Sequence, residues 1–366
     1  MPSRRSLLAS CGAAVAALAG CSTGPDAPVA WDHAVERRVL APPTVAAGLV
    51  VVPLEEESVA VADGEVRWRS PATGPTAPAA THDGGRVVFG TDGPYPYRAV
   101  DTADGASGWT LDRELFGLAS PAGGSVLVAG DRSQVVGVDA TTGGVAWSRS
   151  LELATADDTV RVGALSSARV ADGTAYLRGG PGYMALAVDT GETVWARDRE
   201  RGVSFEVGRR NMSLAPAVGD GAAYFWTSDE GRDGLGEAQV LARERTDGRV
   251  RWRHRTTGAA AAPAYAEGPG LVVAADESGT VAALEPGDGS VEWSVDLGGR
   301  VAYTRPVAHR GTVYVPVSGD NDRLVALDAP TGERLFSLST GHSLPPTPAG
   351  DRVYAAGYRG LYALEA

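Results

Sequence analysis

The sequence predicts an all-β protein: one eight-bladed β-propeller of four-stranded blades, its ring closed by an N-terminal strand. Three observations predict it. A Gly turn followed four residues later by Trp recurs along the chain. A Pro followed by an alternating apolar stretch with Gly precedes each copy. The last copy stops before its turn, and an isolated Trp near the start has no copy of its own. Four short strands repeated every ~40 residues are the signature of propeller blades.

The elements follow in chain order. Residues 1–20 read as a removable address, not a domain. Arg4 and Arg5 precede an apolar run from Leu7 to Ala19, too short for a spanning helix and suited to a secretory signal. Leu18-Ala19-Gly20-Cys21 fits a lipobox, with Cys21 lipidated as the mature N-terminus. Ser3-Arg4-Arg5-Ser6-Leu7-Leu8 fits a twin-arginine export motif, with ordinary secretion as the alternative. Cys11 and Cys21 are the only cysteines, so the domain beyond them has no disulfide and no thiol ligand. Residues 21–30 are the lipidated Cys and a polar tether, and residues 31–366 are the propeller. The expected location is outside the cell, held to the membrane by lipid.

In the propeller, Val136 to Trp147 (VGVDATTGGVAW) shows the turn copy fully. Copies ending at Trp195 and Trp293 are close to it, and those ending at Trp68, Trp109 and Trp252 are weaker. Phe336 replaces Trp in one copy, and the chain ends on LYALEA, a copy without its turn. Each copy supplies two strands, by alternation and Gly turns. The markers start at Pro43, Pro78, Pro121, Pro216, Pro263, Pro306 and Pro348, and the stretch Ala168 to Leu177 is an eighth without Pro. Each supplies two more strands. The C-terminal blade then lacks a fourth strand, and the strand around Trp31 supplies it, leaving no open edge.

The Ala-x-Asp-x-x-Thr-Gly-x-x-x-Trp pattern resembles the PQQ-like, quinoprotein-type propeller repeat. It covers nearly all of residues 31–366. The resemblance implies that the aromatic series Trp31, Trp68, Trp109, Trp147, Trp195, Trp252, Trp293 and Phe336 docks between neighbouring blades. With a lipobox and eight blades the chain is also similar to the BamB-like family of lipid-anchored propellers. That resemblance implies a non-catalytic scaffold. The repeats match both groups and so fix the fold and not the function.

Three gaps break the repeat. Residues 148–167 and 196–215 lengthen blade-to-blade links, and residues 228–239 lengthen a link between second and third strands. In a four-stranded antiparallel meander these links emerge on one face. They offer Asp157, Asp158 and Arg161, then Arg199, Arg201, Phe205, Arg209 and Arg210, then Asp229, Glu230 and Asp233. Arg, acid and aromatic side chains together suit a protein partner or a sugar. A solvated loop with internal ion pairs is the other reading. The tether should leave from the opposite face.

The chemistry is sparse. The chain has 366 residues with 33 Lys+Arg against 45 Asp+Glu, a formal charge of -12, and this excludes a nucleic-acid partner. All 33 cations are Arg, and Ile is absent too, which points to a GC-rich genome or a halophile-like composition. Five scattered histidines show no ligand spacing. Asp320-Asn321-Asp322 alternates oxygen ligands but lacks the matching Glu of an EF-hand. Asp229, Glu230, Asp233 and Glu237 could gather a cation, or form an acidic loop. Trp226 lies outside the Trp series, as a core residue or a sugar platform. No nucleophile motif appears, so neither catalytic nor metal residues are assigned. The expected function is a monomeric, non-enzymatic scaffold for an envelope or cell-surface protein, with no cofactor. The alternatives are a quinoprotein-like oxidoreductase holding PQQ and calcium in the central funnel, and an extracellular saccharide-binding module. In a cell without an outer membrane only the general scaffold role would carry over.

Overall fold

The computed structural model describes residues 26–366 apart from 72–79, 83–84, 90–96, 114, 120–125, 131–133, 151, 155–158, 162–164, 180–181, 199–202, 205–214, 230–237, 258–260, 302–303, 342–343 and 359. Eight sheets are arranged as an eight-bladed β-propeller. Blades 1 to 7 span residues 44–71, 80–111, 116–150, 165–198, 217–256, 264–296 and 307–339. Each is an antiparallel meander whose first strand lies innermost. Blade 8 takes three strands from residues 347–365 and its fourth from Val29–His33. There Trp31 pairs with Ala363 and His33 with Leu361. The inner strands touch in order from blade 3 to blade 8, and that of blade 8 meets that of blade 1, which meets that of blade 2.

One row of partners crosses every blade. In blade 5 it runs Ala217, Tyr224, Ala242, Trp252. In blade 7 it runs Val307, Tyr314, Ala326, Phe336. The third-strand member is Ala in seven blades and Gly137 in blade 3. Its smallness lets the aromatic lie over the sheet. At Gly137 an added Cβ would come within 2.2 Å of the Trp147 ring.

The recurrent turn has a common build. From blade 2 to blade 7, the turn Gly donates its N–H to the carbonyl four residues back, as Gly143 does to Asp139 at 2.7 Å. Gly105, Gly143, Gly191, Gly248, Gly289 and Gly332 all have φ between 69° and 76°, the left-handed region that glycine adopts without strain. In blade 3 the Asp139 carboxylate accepts from the Thr141 and Thr142 N–H groups. The sequence pattern Asp-x-x-x-Gly is thus the chemistry of one turn. The indole of the preceding blade lies flat on this turn. Trp68, Trp109, Trp147, Trp195, Trp252 and Trp293 donate Nε1–H to Thr102, Ala140, Val188, Arg245, Pro286 and Ala329 carbonyls at 2.7–2.9 Å. A buried indole N–H needs such a partner, and each bond is worth about 1 kcal/mol net. Hydrophobic clusters accordingly run across blade boundaries, as where Trp252 packs with Val272 and Leu284 of blade 6.

Candidate partner-binding face

Two of the three insertions meet. Val203–Ser204, from the link between blades 4 and 5, pairs antiparallel with the end of the second strand of blade 5. The register is Val203 with Asp229 and Ser204 with Ser228. Among the described residues, blade 5 is therefore the blade whose sheet has five strands. The third insertion forms its own hairpin between blades 3 and 4, Glu152–Ala154 with Thr159–Arg161. Its first strand lies against Thr193–Asp198 of blade 4. Extra strands thus stand on one face of adjacent blades, a hairpin beside blade 4 and an added strand on blade 5. The chain enters the closing strand at Val29, opposite Leu364, on the face of third-to-fourth turns. The additions stand on the other face.

Among the candidate residues, Arg161 pairs with Glu152 in the hairpin, and Asp229 pairs with Val203 in the added strand. Asp157, Asp158, Arg199, Arg201, Phe205, Arg209, Arg210, Glu230 and Asp233 lie outside the described residues, as do Arg4, Arg5 and Cys21.

Two residues before the pairing with the added strand, the same strand of blade 5 carries Trp226, which Arg178 of blade 4 stacks on. Trp226 is 9% exposed and packs with Ala238 and Ala262. The Arg178 guanidinium lies 4.9 Å from its ring centroid, and Nη1 donates to the Trp226 carbonyl at 2.7 Å. Burial pushes Arg178 down to about 10, against the raising effect of Tyr183. In the same blades Arg243 stacks on Tyr183 at 4.2 Å and donates to the Gly248 carbonyl. Tyr183 meets Phe225 edge-on, centroids 4.9 Å apart. Buried cation–π pairs stiffen this part of the ring. Trp226 is thus wall material and not an open platform for a sugar. Sequence reading missed Arg178 and Arg243, because no local pattern marks an Arg on a strand as buried.

Other candidates have structural partners. The Asp322 carboxylate accepts the Gly319 N–H at 3.0 Å, closing its own turn. His33 meets the Gly64 carbonyl and His309 the Gly350 carbonyl, each in the next blade. His254 bonds to the Gly289 backbone, and burial holds its imidazole below the usual value. Among the described residues, no three His, Cys, Asp or Glu side chains gather where they could hold a metal ion.

An eight-bladed ring whose indoles dock on the next blade's acidic turn defines a protein of the quinoprotein-type propeller class. The chain belongs, more narrowly, to the family described as outer membrane protein assembly factor BamB, whose model matches residues 24–254, 184–295 and 277–366. A curated BamB from Yersinia pestis is 27% identical over 192 residues, 48% of this chain and 47% of that protein. The matched stretch is about half the length of that relative. The crystal structure of BamB from Moraxella catarrhalis superposes with a TM-score of 0.68 at 17% identity, over 93% of this chain and all of that one. A quinohemoprotein alcohol dehydrogenase from Comamonas testosteroni gives 0.63 at 15%, over 92% of this chain and 76% of the enzyme. BamB and a dehydrogenase thus share the ring, and likeness at this level speaks for the fold alone.

Proposed function

We propose that this chain is an exported, lipid-anchored propeller that acts as a non-enzymatic scaffold for an envelope protein, and that the face bearing the added strands receives the partner. One observation carries this reading. The insertions of blades 3 to 5 form paired strands on one face, opposite the entry of the chain at Val29. A tether attached there points the augmented face away from the anchoring membrane. Family membership supports the assembly role, since matched relatives are described as outer membrane protein assembly factors. Lipid on Cys21 and export through Arg4 and Arg5 belong to the same proposal.

The test is crosslinking and capture from membranes with the full chain. A specific membrane protein should be captured, and be lost when residues 199–212 are replaced by a short Gly-Ser link. Crosslinks from this segment to lipid headgroups would sink the orientation. We propose no resident quinone, and titration with PQQ in the presence and absence of calcium tests that. Calcium-dependent, saturable binding would replace the scaffold with an oxidoreductase.

A further inference from the structure

A cavity of about 290 Å³ lies among the inner strands of blades 4 to 8, away from the partner face's added strands. Three arginines line it, and two of them, Arg169 from blade 4 and Arg305 at the entry to blade 7, stand at inner-strand positions. Both break the repeat. The innermost member of the cross-blade row is Thr44, Ala80, Ala119, Ala217, Ala264, Val307 and Thr347 in seven blades, and Arg169 in blade 4. The position of Arg305, two residues before that row, holds Pro42, Ser167, Ala215, Ala262 and Pro345 in five other blades.

Neither arginine has a described carboxylate on it. The Arg305 Nε is shut off from solvent and has no hydrogen-bond partner, and neither has the Oγ1 of its neighbour Thr304. Burial and then the charge of Arg169 push Arg305 down to about 10. His309 and Arg310 also line the cavity, and Glu267 is the carboxylate among its lining residues. An uncompensated guanidinium pair, with Arg169 exposed and Arg305 half-buried and its Nε shut off from solvent, is unfavourable on its own, and more conspicuous in a chain of net charge -12. Such a pair awaits an anion able to accept from both forks.

We propose that the central cavity binds a small polyanion, with two or more anionic oxygens shared between Arg169 and Arg305. The two donor forks enter from blades three apart, so a single bridging ligand satisfies both, and the cavity volume suits a small molecule rather than a peptide segment. Carboxylates and phosphate share this chemistry, and the probes separate them.

The experiment is calorimetric titration of the full chain with citrate and, separately, inorganic phosphate, at matched ionic strength. One-site saturable binding of at least one probe is expected. Arg305→Ala and Arg169→Ala should each weaken it at least tenfold, while Arg67→Ala on an outer strand leaves it unchanged. Arg305→Met should also raise the melting midpoint without anion and abolish the further rise that anion gives the native chain. A structural arginine would behave oppositely, the Met variant melting lower. If Arg305→Ala does not fold, Arg169→Ala, whose residue is exposed to the cavity, carries the test. Absence of binding by both probes into the millimolar range, or binding indifferent to both arginines, overturns the proposal.

Discussion

The interfaces from blade 1 through blade 7 differ from the two that flank blade 8. In the first set, every indole has a carbonyl and a left-handed Gly beneath it. In blade 8 the third and fourth strands come from opposite ends of the chain, so no such turn lies beyond Phe336. On the other side Trp31 reaches blade 1, where the turn is the two-residue pair Asp63-Gly64, with φ of 51° and 79°. This tight hairpin offers the indole no carbonyl, and the Trp31 Nε1 is buried without a partner. His33, two residues on, takes the Gly64 carbonyl instead. Every aromatic of the series except Trp31, whose N–H is left unsatisfied, is matched to what it meets. Phe, which has no N–H to satisfy, stands where no turn carbonyl is offered.

The largest expected effect comes from the turn glycines. Gly248→Ala would place a Cβ 2.6 Å from the Trp195 ring at φ of 72°, so strain and overpacking together should cost about 2–5 kcal/mol. Gly64→Ala meets nothing nearer than 3.7 Å and should cost only the backbone strain, about 1–2 kcal/mol. Guanidinium melts of the two variants decide this, and equal losses would dissolve the distinction between the two kinds of interface.

The indole bond itself gives a smaller difference. Trp147→Phe strands the Val188 carbonyl and should lose about 1–3 kcal/mol beyond the change in packing. Trp31→Phe breaks no hydrogen bond and should lose less. Comparing midpoints of Trp147→Phe with Trp31→Phe sharpens the contrast, and a greater loss at Trp31 would reverse it.

The smallest effect is one of pH. His254 sits on the docked side, and His33 holds the equivalent place after Trp31 on the closing strand. Because burial lowers the folded-state pKa of His254, the unfolded chain binds the proton better. Its contribution should be complete above about 6.5 and fall as pH drops below that ordinary value. His254→Gln should flatten stability in this range, as read from melting midpoints between pH 5 and 7.5, and an unchanged slope would remove His254 from the account.

Much of this architecture was legible in the sequence. The spacing from Gly143 to Trp147 is set by one turn and one strand pairing, both local, and Trp31 stood out by lacking a copy of its own. The insertions were legible as breaks in the period, and their shared face follows from strand alternation. Two features were not legible as a site. Arg169 and Arg305 come together only through ring closure, and their sole signal is a charge where the other blades keep neutral residues. Trp226 reads locally as a core residue or a sugar platform, and the core reading holds because Arg178 from the preceding blade stacks on it.

The join at blade 8 also orders events in time. Thr347 Oγ1 donates to the Pro43 carbonyl across a separation of 304 residues, where neighbouring blades lie ~40 apart. Bringing such distant segments together costs about 2 kcal/mol more chain entropy than a neighbour contact. The clasp is therefore expected to be the last contact made and the first released. Until Val29–His33 arrives, the strand Gly360–Glu365 presents a bare, apolar edge to any other strand in reach. The hazardous interval in the life of this molecule is the moment between completing seven blades and fastening the eighth.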